Sequence, residues 1–149
     1  MPRQTKQQTK AKGAAKRERD TALILRFSTD HLWVRVDGER AQIGLSDRGQ
    51  KALGEIIAAD LPEIGDEIER GEPFGEFEST RTVQELIAPI GGEVTAVNPE
   101  IEASPSLVNE DPYRDGWLIE VELFNERDLD ELLSAEEYDE FLEQEEPDE

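Results

Sequence analysis

FESTRTVQEL, residues Phe77 to Leu86, reads as two short strands joined by a polar tip that carries Arg81. The sequence on either side is arranged about this tip. IGDEI (Ile64 to Ile68) recurs as IGGEV (Ile90 to Val94) 26 positions later, and Pro73 is echoed by Pro99 at the same offset. Each unit is a turn, a short strand and a second turn ending at proline. Two such units imply a pseudo-twofold sandwich of sheets. The centre of the echo is position 80, so Thr80 and Arg81 lie where a hairpin joining the two halves protrudes.

Working outward, LILRF (Leu23 to Phe27) and LWVRV (Leu32 to Val36) are strand-like, rich in branched and aromatic residues. Asp37-Gly38 signals a turn, and AQIGL (Ala41 to Leu45) is the returning strand. Ser46 or Asp47 caps a short helix that runs to about Leu53 and closes at Gly54. EIIAAD (Glu55 to Asp60) is a further strand, and PEIGD (Pro62 to Asp66) a turn cluster. WLIEVEL (Trp117 to Leu123) alternates with period two, which turns Trp117, Ile119, Val121 and Leu123 inward and Glu120 and Glu122 outward. DLDELL (Asp128 to Leu133) predicts a short helix. SAEE (Ser134 to Glu137) then matches a capping box, with Leu133, Tyr138, Phe141 and Leu142 as one apolar face.

Composition narrows the function classes. The 149 residues carry a net charge of −21. Residues 1–19 hold seven basic residues against Glu18 alone, while the rest of the chain carries 9 basic and 36 acidic residues. An acidic body argues against nucleic-acid binding except through the basic tail. Residues 1–20 offer almost nothing to bury and are expected to be disordered. Residues 21–143 are read as one sandwich domain with a C-terminal helix, and residues 144–149 as a frayed acidic tail. There is no cysteine, hence no disulfide, zinc-thiolate site or thiol nucleophile. No apolar run is long enough to span a membrane and no secretory segment opens the chain, so a cytoplasmic protein is expected.

Catalytic machinery is not evident. His31, the single histidine, sits beside Leu32 and Trp33 and reads as a packed or surface residue. No Ser-His pair with a third member can be argued, and the carboxylates lack the spacing of a calcium loop. Neither an enzyme nor a metal site is expected.

Several motifs in order resemble one family. They are HLWVRV (His31 to Val36), IGLSD (Ile43 to Asp47), ALGEI (Ala52 to Ile56), LPEIGD (Leu61 to Asp66), GEPFGEFES (Gly71 to Ser79), APIGGEV (Ala88 to Val94), VNEDPY (Val108 to Tyr113) and GWLI (Gly116 to Ile119). With the acidic C-terminal helix, they resemble the H protein of the glycine cleavage system. The resemblance implies a mainly β fold: a lipoyl-domain-like barrel-sandwich hybrid of two small sheets with a short internal helix and C-terminal helices. It also implies a carrier rather than an enzyme. In the family a lipoyl group on a tip lysine carries an aminomethyl group between the P, T and L proteins.

Where the family tip reads E-S-V-K-A, this chain has Glu78, Ser79, Thr80, Arg81 and Thr82. Arg81 thus stands at the lipoyl-lysine position. A guanidinium stays protonated and its lone pairs are delocalised, so it cannot be acylated as an amine can. The resemblance places His31 and Leu32 at arm-docking positions, with Leu32 where the family has an acid. It keeps an acid at Glu85, and Glu78 where lipoylating enzymes expect one. The expectation is therefore an H-protein-like domain without lipoyl cofactor. It acts as a protein-interaction scaffold or regulator, with the P, T or L proteins or a lipoylating enzyme as partners. Two alternatives stand beside it: a working H protein, as an arginine variant or lipoylated elsewhere, and a binding module acting through the basic tail.

Overall fold

A computed structural model describes residues 25–145. The expected basic tail and residues 146–149 lie outside this range, while Gln144 and Glu145, expected to fray, are the last residues of the C-terminal helix. The described chain forms two antiparallel sheets. In chain order the elements begin with β1 (Leu25–Phe27), β2 (Leu32–Asp37), β3 (Arg40–Leu45), α1 (Asp47–Leu53), β4 (Ile56–Asp60) and β5 (Glu67–Ile68). Then come β6 (Pro73–Ser79), β7 (Val83–Ile87), β8 (Gly92–Val97), α2 (Pro99–Ala103), α3 (Leu107–Glu110) and β9 (Ile119–Leu123). A 3-10 turn (Glu126–Glu131) and α4 (Ala135–Glu145) complete the described chain. One sheet has six strands in the order β1-β2-β3-β9-β8-β5; the other has three, β4-β6-β7.

The echo in the sequence is a real dyad. Its two copies lie side by side in the larger sheet, Glu67 opposite Glu93 and Ile68 opposite Gly92. In the smaller sheet Pro73 lies opposite Ile87, so both pairings centre on position 80. The β6–β7 hairpin is therefore the protruding link between the halves, as its position in the repeat requires. The second half departs from the echo after β8. Pro99 opens helix α2 rather than ending a turn, because Asn98 caps the Glu100 N–H at 3.1 Å and proline suits the first helical position.

Period two explains the burial of β2. Leu32 and Val34 face the core between the sheets, where they join Ile43, Ile56, Phe77, Leu86 and Val121. Trp33 points the other way, yet is just as buried, since α4 and its approach cover that face with Leu133, Tyr138, Phe141 and Leu142. The indole is fixed at both ends. Its Nε1–H donates to the Pro112 carbonyl at 2.9 Å, and its ring lies against Gly44 on β3, the cross-strand partner of Trp33. In β9 the expected alternation holds for Ile119 and Val121, while Trp117 precedes the strand and packs in the aromatic cluster.

Three elements differ from the sequence expectation. Helices α2 and α3 have five and four residues, too few to show a helical period. The helix expected over Asp128 to Leu133 is a 3-10 turn displaced to Glu126–Glu131, started by the Asn125 side chain on the Arg127 N–H. The capping box at the head of α4 is present as read: Glu137 N–H donates to Ser134 Oγ at 3.1 Å, and Ser134 N–H to Glu137 Oε1 at 2.9 Å.

Candidate functional site: the hairpin tip and the cleft beside it

Strand pairing in the hairpin ends at Glu78 opposite Val83, leaving Ser79 to Thr82 as the tip. Ser79 builds the turn. Its N–H donates to the Thr82 carbonyl at 2.8 Å, and its Oγ accepts from Arg81 N–H and Thr82 N–H, both at 3.1 Å. Ser79 is buried, whereas Glu78, Thr80, Arg81, Thr82 and Glu85 are exposed.

The arginine does not project from the tip. Arg81 Nη1 donates to the carbonyls of Lys51 (3.1 Å) and Ala52 (2.9 Å) at the end of α1. Those carbonyls have no partner within the helix, and they mark its negative pole, so a cation there is favoured on both counts. Thr80 N–H adds a bond to the Glu55 carbonyl at 2.9 Å. Gly54, at φ +85°, turns the chain beneath the guanidinium; a Cβ there would stand 3.2 Å from Arg81 Nε. From α3, Asn109 bonds the Gln50 side chain, the Gly54 carbonyl and the Ile56 N–H, each at 2.9 Å. Tip, α1 and α3 are thus tied together. Lys51, the only lysine among the described residues, is exposed and paired with Asp47 at 3.1 Å.

Beside the tip is a cleft of about 270 Å³. Its apolar lining includes Leu32, Leu53 and Leu86, and its polar lining includes His31, Glu85 and Glu145. The structure therefore brings His31, Leu32 and Glu85 to one cavity. Glu78, Thr80 and Thr82 are not part of it.

His31 occupies a left-handed conformation, φ +72°. Its Nδ1 lies 2.7 Å from Tyr138 Oη, and its Nε2 3.2 Å from Glu145. Tyr138 Oη in turn lies 2.8 Å from Ser46 Oγ, which accepts the Gly49 N–H at the head of α1. Sequence reading missed Tyr138 and Ser46 as partners of His31. The one available signal was a phenol on an apolar helix face, since a buried tyrosine hydroxyl needs a partner.

Burial pushes the Tyr138 hydroxyl up to about 12. An unfolded chain ionises this group near pH 10, so between about pH 10 and 12 the folded state holds more protons and stability falls as pH rises. Two units correspond to about 2 kcal/mol after allowance for context. Urea unfolding at pH 9 and pH 11.5 is expected to show that loss in the native chain and a smaller loss in Tyr138→Phe. Equal losses would mean that Tyr138 is not the source.

A family model described as Glycine cleavage H-protein matches residues 25–145. The chain belongs to the glycine cleavage H-protein family. A glycine cleavage system H protein of Carboxydothermus hydrogenoformans is 51% identical over 114 residues, 76% of this chain and 88% of that one. One from a Geobacillus species is 48% identical over 119 residues, 80% and 94% of the two chains. The crystal structure of an H protein from Mycobacterium marinum superposes with a TM-score of 0.72 at 33% identity, covering 80% of this chain and 97% of that one. The fold is that of the H protein, an open pair of sheets with a C-terminal helix. Family members carry and do not catalyse. Among the described residues no helix is long and apolar enough to cross a membrane. The family's lipoyl group requires a primary amine, and Arg81 offers a guanidinium bonded to two carbonyls, so the residue at the tip does not fit that group.

Proposed function

We propose that the chain serves the glycine cleavage system through the H-protein docking surface, with the hairpin tip and its flanking cleft presented to the P, T and L proteins. The supporting observation is the complete H-protein sandwich with the tip at the dyad centre. Two versions of this reading differ in what the tip carries.

In the first the chain is a working H protein. Relatives about half identical and bearing that name support it. It requires an acylable amine, which Arg81 does not supply; among the described residues the only lysine is Lys51, its carbonyl 3.1 Å from Arg81 Nη1. In the second the chain occupies the same docking sites without an arm, as a scaffold or regulator. The chemistry and fastening of Arg81 support it.

Reconstitution separates them. P, T and L proteins are mixed with glycine, tetrahydrofolate, NAD and this chain after exposure to a lipoylating enzyme, and NADH is followed. NADH formation with this chain as sole H protein establishes the carrier. No turnover, together with inhibition of a cycle driven by a lipoylated H protein, establishes the armless form. Neither turnover nor inhibition would remove the docking reading altogether.

A further inference from the structure

Helix α1 is held at both ends by groups distant in sequence. Its C-terminal carbonyls bind Arg81 of the tip. Its N-cap, Ser46, touches Tyr138 of α4, and Ser46 N–H donates to the His31 carbonyl at 2.8 Å. His31 therefore meets α1 through its backbone and α4 through both ring nitrogens.

With the imidazole neutral, the donors run one way along this chain. Ser46 Oγ–H donates to Tyr138 Oη, Tyr138 O–H to His31 Nδ1, and His31 Nε2–H to Glu145. Every polar group is satisfied, in a place where Ser46 is fully buried and Tyr138 nearly so. An unmet donor or acceptor there would be penalised.

The backbone turn that carries the ring is itself held by hydrogen bonds. Positive φ is uncommon outside glycine, although histidine is among the residues that adopt it more readily. Here Ser28 holds the turn: its Oγ accepts from Asp30 N–H and Leu32 N–H, both at 3.2 Å, and its carbonyl accepts the His31 N–H at 3.1 Å. Phe27 stacks on Tyr138 with centroids 4.4 Å apart, which fixes the phenol against the same turn.

We propose that His31, Tyr138 and Ser46 form a latch through which α4 holds α1, and through α1 seats the hairpin tip. Latch and tip then move as one unit. Release of α4 also removes Glu145, and with it part of the lining of the cleft, so a single event loosens the tip and opens the cavity. The device belongs to the fold and does not depend on which version of the docking reading holds.

Hydrogen exchange on the full chain tests it with two variants. His31→Gly removes the ring and relieves the left-handed strain, so overall stability is partly compensated. Tyr138→Phe keeps the stack on Phe27 and removes only the hydroxyl. The expected result in both is exchange at least tenfold faster at the Thr80 and Arg81 amides and along α4, with the central β9 amides unchanged. Acceleration confined to α4 would overturn the proposal, because the tip would then be seated independently. Equal acceleration in tip and β9 would overturn it too, since that is global destabilisation, as would no acceleration in either variant.

Discussion

Incubated with a lipoylating enzyme, ATP and lipoate, the native chain keeps its mass, while its Arg81→Lys variant gains one lipoyl group. The expectation rests on the armless version of the docking reading and on elementary nucleophilicity. Acyl transfer needs a nitrogen lone pair. An ammonium on a four-carbon stem releases a proton and exposes one, whereas a guanidinium spreads its lone pairs over the fork and stays protonated. In the variant the Arg81 Nη1 bonds to the two α1 carbonyls are removed, which also frees the side-chain end for the enzyme. The surrounding tip is otherwise unchanged: Ser79 still closes the turn and Glu78 still stands three residues before the acceptor. Intact mass reads the result, which is all or none. A lipoylated native chain sinks the armless version and directs peptide mapping first to Lys51. Two unmodified chains would show that the surface read by the lipoylating enzyme has changed along with the acceptor.

The second large effect is structural. Gly44→Ala is expected to destabilise the fold by about 3 kcal/mol, at the upper end of the overpacking range. A Cβ at Gly44 would overlap the Trp33 ring. That ring cannot retreat easily. Its Nε1 is bonded to Pro112, the Arg35 guanidinium covers it 4.5 Å from the centroid, and the Tyr113 ring lies beside it with centroids 6.2 Å apart. Urea denaturation reads the loss as a lower midpoint at unchanged slope. A double variant, Gly44→Ala with Trp33→Leu, is expected to recover part of the loss relative to Trp33→Leu alone, because the clash partner has gone. A Gly44→Ala chain as stable as the native one would mean that the indole can move, and that the aromatic layer is less rigid than described.

What could be read from the sequence was whatever has a period or a cap. The branched and aromatic run of Leu32 to Val36, the Ser46 and Ser134 caps and the dyad about position 80 are such signals, and each appears in the structure. Short helices between Asn98 and Asp111 were not legible, since two turns or fewer leave no pattern. The site divided along the same line. Position of the tip followed from the echo, but the destination of the arginine did not. Nothing in ESTRT reveals that its side chain folds back 30 residues upstream to a helix end. The tie between His31 and Tyr138, 107 residues apart, is likewise a product of tertiary packing alone.

The order of the large sheet has a consequence for biosynthesis. β9, made late, lies between β3 and β8, and α4, later still, seals the outer face of Trp33. A nascent chain that has emerged only as far as α3 therefore holds two sheet fragments with open edges and an uncovered indole. The pairings of β9 with β3 and β8 must wait for the last quarter of the chain, so the large sheet closes late. Until the final helix leaves the ribosome, those edges are open to pairing with other chains. The strong acidity of the body works against such pairing, because like-charged nascent chains repel one another before the sheet can close.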